Sequence, residues 1–134
     1  MKKYDAIIIG AGQAGTPLAR KLAGAGWKTA LIEKRRIGGT CVNDGCTPTK
    51  TMIGAARVAY IAGCAEQFGI PADLSQLRLS KVKARKDKIV QQSIDSLTKS
   101  ITSTENLDYI EGKAVFSGMK TIEVNGESLQ AEHI

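Results

Sequence analysis

Two cysteines stand where this chain could do chemistry. Cys41 and Cys46 lie in the run Gly38-Gly39-Thr40-Cys41-Val42-Asn43-Asp44-Gly45-Cys46-Thr47-Pro48-Thr49-Lys50. Four residues separate them, a wider gap than the two-residue spacing of thioredoxin-type pairs or common zinc knuckles. A zinc site would need two further ligands. His133 is the only histidine and Cys64 the only other cysteine, and neither supplies a second pair. No metal site is expected. Cys64, between Gly63 and Ala65 in a helical stretch, reads as a small buried hydrophobe.

The residues in front of the cysteines show what must position them. Tyr4 to Ile9 form a near-continuous apolar run, the pattern of a parallel strand buried on both faces. Gly10-Ala11-Gly12-Gln13-Ala14-Gly15 follows at once. Leu18, Ala19, Leu22 and Ala23 then recur at helical spacing, and Gly24 and Gly26 end that helix. Lys28 to Ile32 reads as a second strand, closed by Glu33. The whole is a β-α-β unit of about 30 residues. In such a unit Gly10 permits a tight turn, Gly12 lets the backbone approach a pyrophosphate, and Gly15 lets helix and strand pack closely. The helix N-terminus faces the phosphates with unpaired N–H groups. Glu33 stands where a carboxylate accepts hydrogen bonds from both hydroxyls of an adenosine ribose. A dithiol attached to a nucleotide-binding half-fold is a redox device.

Beyond the cysteines the pattern is helical from Thr49 to about Gln67, with Met52, Ile53, Ala56 and Tyr60 on one side and Pro48 in the first turn. Ser80 is the expected cap of the next helix, which runs to about Thr104 on Val82, Ile89, Val90, Leu97 and Ile101. Lys86 falls inside that arc, so the first turns of this helix are expected to be exposed. Leu107 to Glu111, Val115-Phe116, Thr121 to Val124 and Ser128 to Ile134 read as strands. Asn125-Gly126 is a hairpin signal between the last two.

Composition excludes several classes. The net charge of +6 is partly concentrated in Lys81, Lys83, Arg85, Lys86 and Lys88. No aromatic residue interleaves with them, so the basic run reads as a solvated helix face and no nucleic-acid partner is expected. No stretch reaches transmembrane length, so no membrane partner is expected either. The apolar stretch behind Met1-Lys2-Lys3 is too short for a signal-peptide core. Three cysteines, an odd number, do not make a secreted disulfide framework. The expected compartment is the cytoplasm, where a disulfide is more often catalytic than structural.

Gly38-Gly39-Thr40-Cys41-Val42-Asn43, Gly45-Cys46, Pro48 and Lys50, preceded by Gly10-x-Gly12-x-x-Gly15 and Glu33, resemble the redox segment of the class I pyridine nucleotide-disulfide oxidoreductases. That family includes dihydrolipoamide dehydrogenase, glutathione reductase and mercuric reductase. The resemblance implies an α/β fold: a Rossmann-like FAD-binding half-domain with a parallel βαβ sheet, two long helices and a small antiparallel meander at the C-terminal end. It implies FAD as cofactor and NAD(P)H as electron donor in the complete enzyme. Cys46 would lie against the flavin and Cys41 would face the substrate, the two forming the redox-active disulfide. Lys50 would sit near the flavin N5, and Gly39 and Thr40 would line the flavin and ribityl side. Gly112-Lys113-Ala114 is similar to the family's small-residue segment beside the adenine, which places Gly112 and Ala114 there.

Asp44, Thr47 and Thr49 depart from common residues of the family, and Asp44 is expected to raise the pKa of the nearby thiols by like-charge repulsion. Residues 1–134 are expected to be the N-terminal portion of one FAD-binding domain, with the NAD(P)H and dimerisation domains absent. The function implied is electron transfer from NAD(P)H through FAD and Cys41–Cys46 to a small-molecule disulfide or mercuric substrate, in a homodimer. The alternatives are a non-catalytic nucleotide-binding module, a truncated remnant, or a subunit working with a separately encoded partner.

Overall fold

The computed structural model describes residues 1–134. The apolar run after Lys3 becomes β1 (Lys2–Ile9), and the glycine turn opens α1 (Gly15–Gly24). β2 (Thr29–Glu33) follows and pairs parallel with β1, Ile9 opposite Ile32. Every residue of β2 is buried, as a strand covered on both faces requires. The long crossover to β3 (Leu107–Glu111) carries α2 (Gly39–Asn43), α3 (Cys46–Gly63), a 3-10 turn at Ala65–Phe68, and α4 (Leu79–Thr102). β3 pairs parallel with β2, Glu111 opposite Glu33. β4 (Val115–Gly118), β5 (Thr121–Val124) and β6 (Glu127–His133) complete the chain.

The C-terminal meander is antiparallel within itself, but it is not a separate sheet. β6 turns back along β1 and pairs with it in parallel, Tyr4 opposite Ala131 and Ala6 opposite His133. One six-stranded sheet results, in the order β3-β2-β1-β6-β5-β4. Asn125 and Gly126 both take positive φ (52° and 79°), the signature of the tight hairpin turn their sequence predicts.

Two apolar groups hold the sheet. Ile7, Ile32, Ile122 and Leu129 pack together with Tyr4 across β1, β2, β5 and β6. Ala11, Ala19, Leu31, Ile37 and Ile101 tie α1 and the end of α4 to β2. Three expectations are corrected here. Leu18 lies outside the core, and small Ala19 and Ala23 face the sheet instead, which lets α1 sit close to it. Ser80 does not cap α4, because the cap position is Arg78 in extended conformation. α3 starts at Cys46 rather than Thr49 and buries no residue. Ile53 and Tyr60, predicted on its inner side, are more than half exposed. As expected, the first turns of α4 are largely exposed, and only Ile101 in its last turn is fully buried.

Tyr4 ties central β1 to the edge strand β3 across β2, its Oη donating to Asp108 Oδ2 at 2.7 Å. Burial first, then that hydrogen bond, holds the Tyr4 phenol well above its ordinary pKa of 10. A pKa raised by folding means the native state favours the protonated phenol. Its stabilisation is therefore complete below about pH 10 and is lost as the pH rises through the folded value. Tyr4→Phe should cost about 1 kcal/mol at neutral pH. The gap between wild-type and variant urea midpoints should narrow as the pH rises above that point. A gap that stays constant would show that Tyr4 ionisation is not coupled to folding.

Candidate functional site

The site is built around the C-terminal ends of β1 and β2. Gly10 has φ +106°, open to glycine and strained for other residues. A Cβ on Gly15 would stand 1.8 Å from the Gly10 carbonyl oxygen, so helix and turn touch only because that position has no side chain. A Cβ on Gly10 or Gly12 would meet nothing within 4 Å. The backbone of the turn is therefore open to an approaching group at these two positions and closed by packing at the third.

Glu33 ends β2 buried, with both carboxylate oxygens engaged. Oε2 accepts from the Ala11 N–H and Oε1 from the Arg35 N–H, each at 2.8 Å. The carboxylate thus holds the glycine turn in place, a role the sequence did not show. Each oxygen keeps a second lone pair for a ligand hydroxyl. Beside it lies a cavity of about 190 Å³ lined by Glu33, Arg35, Thr40 and Asn43 among others, none of them apolar.

The redox segment is fastened to the same turn. Gly38 N–H donates to the Ala11 carbonyl at 2.8 Å, and a Cβ on Gly39 would press on Gly12 Cα at 3.0 Å. Asn43 Nδ2 donates to the carbonyls of Ile37 and Gly39, clamping α2 back onto its entry. Asn43 Oδ1 is buried without a hydrogen-bond partner. Gly38 (φ +89°) allows Val42 to pack against the turn, and Gly45 lets α3 begin against the Thr40 carbonyl. Gly38, Asn43 and Gly45 are site-building residues that motif reading quoted without assigning a role. Their signal was the density of glycines around the cysteines.

Cys41 and Cys46 form a disulfide with Cα atoms 4.7 Å apart, within the range a disulfide requires. Cys64 is free. Cys46 is the first residue of α3, where no acidic residue and no side-chain cap compete for the helix N–H groups. A thiolate there is stabilised by the helix end, so Cys46 is the better leaving group when the disulfide opens. Cys46 is exposed. Cys41 is half-buried and lines a cavity of about 490 Å³ between the glycine turn, α2, α3 and α4.

Asp44 is met by Arg36, with Nη2 2.5 Å from Oδ2. The like-charge repulsion expected at the thiols is therefore offset by a guanidinium on the same carboxylate. Lys50 lies one helical turn beyond Cys46, on the same side of α3, and is exposed. Gly112 N–H donates to the Glu33 carbonyl at 2.8 Å, which joins that segment to the site. A Cβ on Gly112 would stand 2.5 Å from Asn125 Oδ1. Ala114 stands apart, half-buried against the core of β1, β2, β5 and β6. No group of histidine, cysteine, aspartate and glutamate could hold a metal ion.

Fold and site define a dinucleotide-binding α/β unit with a disulfide fastened to its glycine turn. Residues 4–134 match the family model described as "Pyridine nucleotide-disulphide oxidoreductase". The chain belongs to that family. It is 34% identical over 129 residues to a mercuric reductase of Lysinibacillus sphaericus, covering 96% of this chain and 24% of that protein. It is 36% identical over 132 residues to a dihydrolipoyl dehydrogenase of Thermus scotoductus, covering 98% of this chain and 28% of that protein. Among solved structures it resembles the HOCl-induced flavoprotein disulfide reductase RclA from Escherichia coli. The TM-score is 0.78 at 32% identity, over 96% of this chain and 26% of that one. The chain thus spans about a quarter of the length of these relatives. No helix is long and apolar enough to cross a membrane.

Proposed function

We propose that residues 1–134 form the FAD-binding, disulfide-bearing N-terminal part of a dithiol/disulfide oxidoreductase. The complete enzyme would take electrons from NAD(P)H and deliver them through Cys41–Cys46 to a small-molecule disulfide or thiophilic metal ion. The observation that carries this reading is a disulfide held by α2 and α3 directly against an open glycine turn.

The residues present fit FAD. Gly10 and Gly12 leave the turn accessible, Gly15 fixes α1 behind it, and Glu33 retains lone pairs for ribose hydroxyls. Gly39, Thr40 and Asn43 line the same polar cavity as Glu33, which leaves room there for the rest of a dinucleotide. Gly112 would close the adenine side, with Ala114 supporting it from the core. FAD, when bound, supplies a two-electron carrier between the pyridine nucleotide and the dithiol. The chain's own residues do the rest. Cys41 faces the substrate. Cys46 holds the thiolate at the start of α3. Lys50 supplies a positive charge one turn from it, where negative charge develops on reduction. In the outward step Cys41 thiolate attacks the substrate disulfide, one substrate thiol leaves, and Cys46 then displaces the second. The substrate gains two electrons and two protons, and Cys41–Cys46 closes again.

The complete protein would be a cytoplasmic homodimer. The exposed apolar side chains of α3, Ile53, Val58, Tyr60 and Ile61, support further structure packing there. Titration of the purified chain with FAD tests the reading. Flavin bands that stay with the protein and change when dithiothreitol opens the disulfide are expected. Flavin that is lost on gel filtration, or bands indifferent to the reductant, would favour the alternative of a nucleotide-binding module or remnant without redox coupling.

A further inference from the structure

Asp44 stands in an unfavourable place. It lies between Cys41 and Cys46, and from Gly38 to Lys50 only Asp44 and Lys50 are charged. A carboxylate there opposes the formation of a thiolate at either cysteine. It also stands at the C-cap of α2, where the helix end disfavours a negative charge and the last turn holds no basic residue. What the carboxylate holds is Arg36, with Nη2 2.5 Å from Oδ2 and both side chains half-exposed. Arg36 is itself fixed. It follows Arg35, whose N–H is bound by Glu33, and its carbonyl accepts from the Gly39 N–H at 3.2 Å. The Asp44 N–H donates to the Thr40 carbonyl at 2.9 Å. The ion pair therefore ties the loop between the cysteines to the strand exit that carries Glu33. α4 presents Ile89, Gln92, Ser93, Ser96 and Leu97 to the cavity beside Cys41, and the glycine turn presents Gln13, all uncharged. The other charges near the loop are Glu33, Lys34 and Arg35, which line the polar cavity with Asp44, and Lys50 one turn into α3.

We propose that Arg36 and Asp44 form a latch that sets the reactivity of the redox pair, with Arg36 a positioning residue acting through Asp44. The inference rests on the reading of Cys41–Cys46 as the redox pair. In the oxidised chain the disulfide itself holds the loop closed, with the Cα atoms 4.7 Å apart. In the reduced chain that covalent tie is gone, and the Arg36–Asp44 contact keeps the loop in place. It favours return to the disulfide by raising the effective concentration of one thiol at the other. The guanidinium meanwhile offsets the carboxylate, so the tie does not suppress the thiolates. Arginine suits this role better than lysine, because its planar fork keeps one geometry on a carboxylate. The pair is half-exposed, so its effect is modest and is strongest at low ionic strength.

Two measurements on the flavin-free chain at low ionic strength test this. The first is the pH profile of alkylation of the reduced pair, each cysteine being followed by mass. The second is the equilibrium with glutathione. Two glutathione thiols become one disulfide, and Cys41–Cys46 takes up their two electrons and two protons to become two thiols. Arg36→Gln should slow alkylation about threefold at neutral pH and move the midpoint of the profile upward, because Asp44 is left unpaired. Asp44→Asn should move the midpoint downward. It should also favour the dithiol about threefold in the glutathione equilibrium, since the loop is freed and nothing repels a thiolate. Combining Arg36→Gln with Asp44→Asn should give the midpoint of Asp44→Asn alone. Lys99→Gln, which removes the same charge from the last turn of α4, should leave both readings as in the parent. An Arg36→Gln shift that persists without Asp44, or that Lys99→Gln reproduces, would overturn the role of Arg36. Single variants that match the parent in both readings would overturn the latch alone. A folded chain whose disulfide withstands excess dithiothreitol would overturn the redox reading instead.

Discussion

Gly15→Ala should lower the unfolding free energy by about 3 kcal/mol or more and abolish FAD binding. The added methyl would lie 1.8 Å from the Gly10 carbonyl oxygen and 3.2 Å from Ile8 Cγ2. Neither can yield cheaply. Gly10 is fixed by its N–H bond to Ile32 carbonyl at 2.7 Å, and α1 is fixed behind the turn by fully buried Ala19. The helix must move off the sheet, which uncovers Ala11 and Leu31 in the same core. Gly12→Ala is the informative comparison. Its methyl meets nothing within 4 Å, so the urea midpoint should move by less than about 0.5 kcal/mol equivalent while FAD affinity falls. Equal stability losses in the two variants would show that the turn is not packed as described. A Gly12→Ala chain that binds FAD as tightly as the parent would remove the pyrophosphate from this turn.

Glu33→Ala should act twice. Without any ligand it should destabilise the chain by about 3 kcal/mol, because the N–H groups of Ala11 and Arg35 lose a charged acceptor and the first is buried. With ligand it should weaken FAD binding by a further 1.5–3 kcal/mol, roughly, through the lost ribose contacts. Glu33→Gln separates the effects. Its amide oxygen can still accept from one of the two N–H groups, so about half of the stability loss should return, while one ribose acceptor becomes a donor. Chemical denaturation of the apo chain and isothermal titration with FAD check the two halves independently. A stability loss without any change in FAD affinity would restrict Glu33 to holding the turn.

The β-α-β start was legible because its signals are local. Three glycines, a run of isoleucines and an acidic residue at the right distance specify strand, turn, helix and strand with little help from the rest of the chain. The cysteine segment was legible for the same reason: its two thiols are five positions apart, and the loop between them closes on itself. The Asn125-Gly126 turn belongs to this class too, since both residues tolerate positive φ.

Tertiary structure decided what depends on distant partners. Helical periodicity placed Ile53 and Tyr60 on one side of α3, but periodicity marks an apolar face without naming what covers it. Nothing in residues 1–134 does. The short strands near the C-terminus announced a meander. Only the pairing of Lys2–Ala6 with Leu129–His133, across more than a hundred residues, made them part of the central sheet. Glu33 could be assigned to a ribose from the motif alone. Its grip on the Ala11 N–H requires the end of β2 to lie against the turn after β1, which parallel pairing brings about. The cavity beside Cys41 is the extreme case. Its walls come from the glycine turn, α2, α3 and α4, up to 84 positions apart in the chain (Gln13 to Leu97). No sequence window contains it, because side chains from separate elements become neighbours only when packing against a common sheet sets their relative positions.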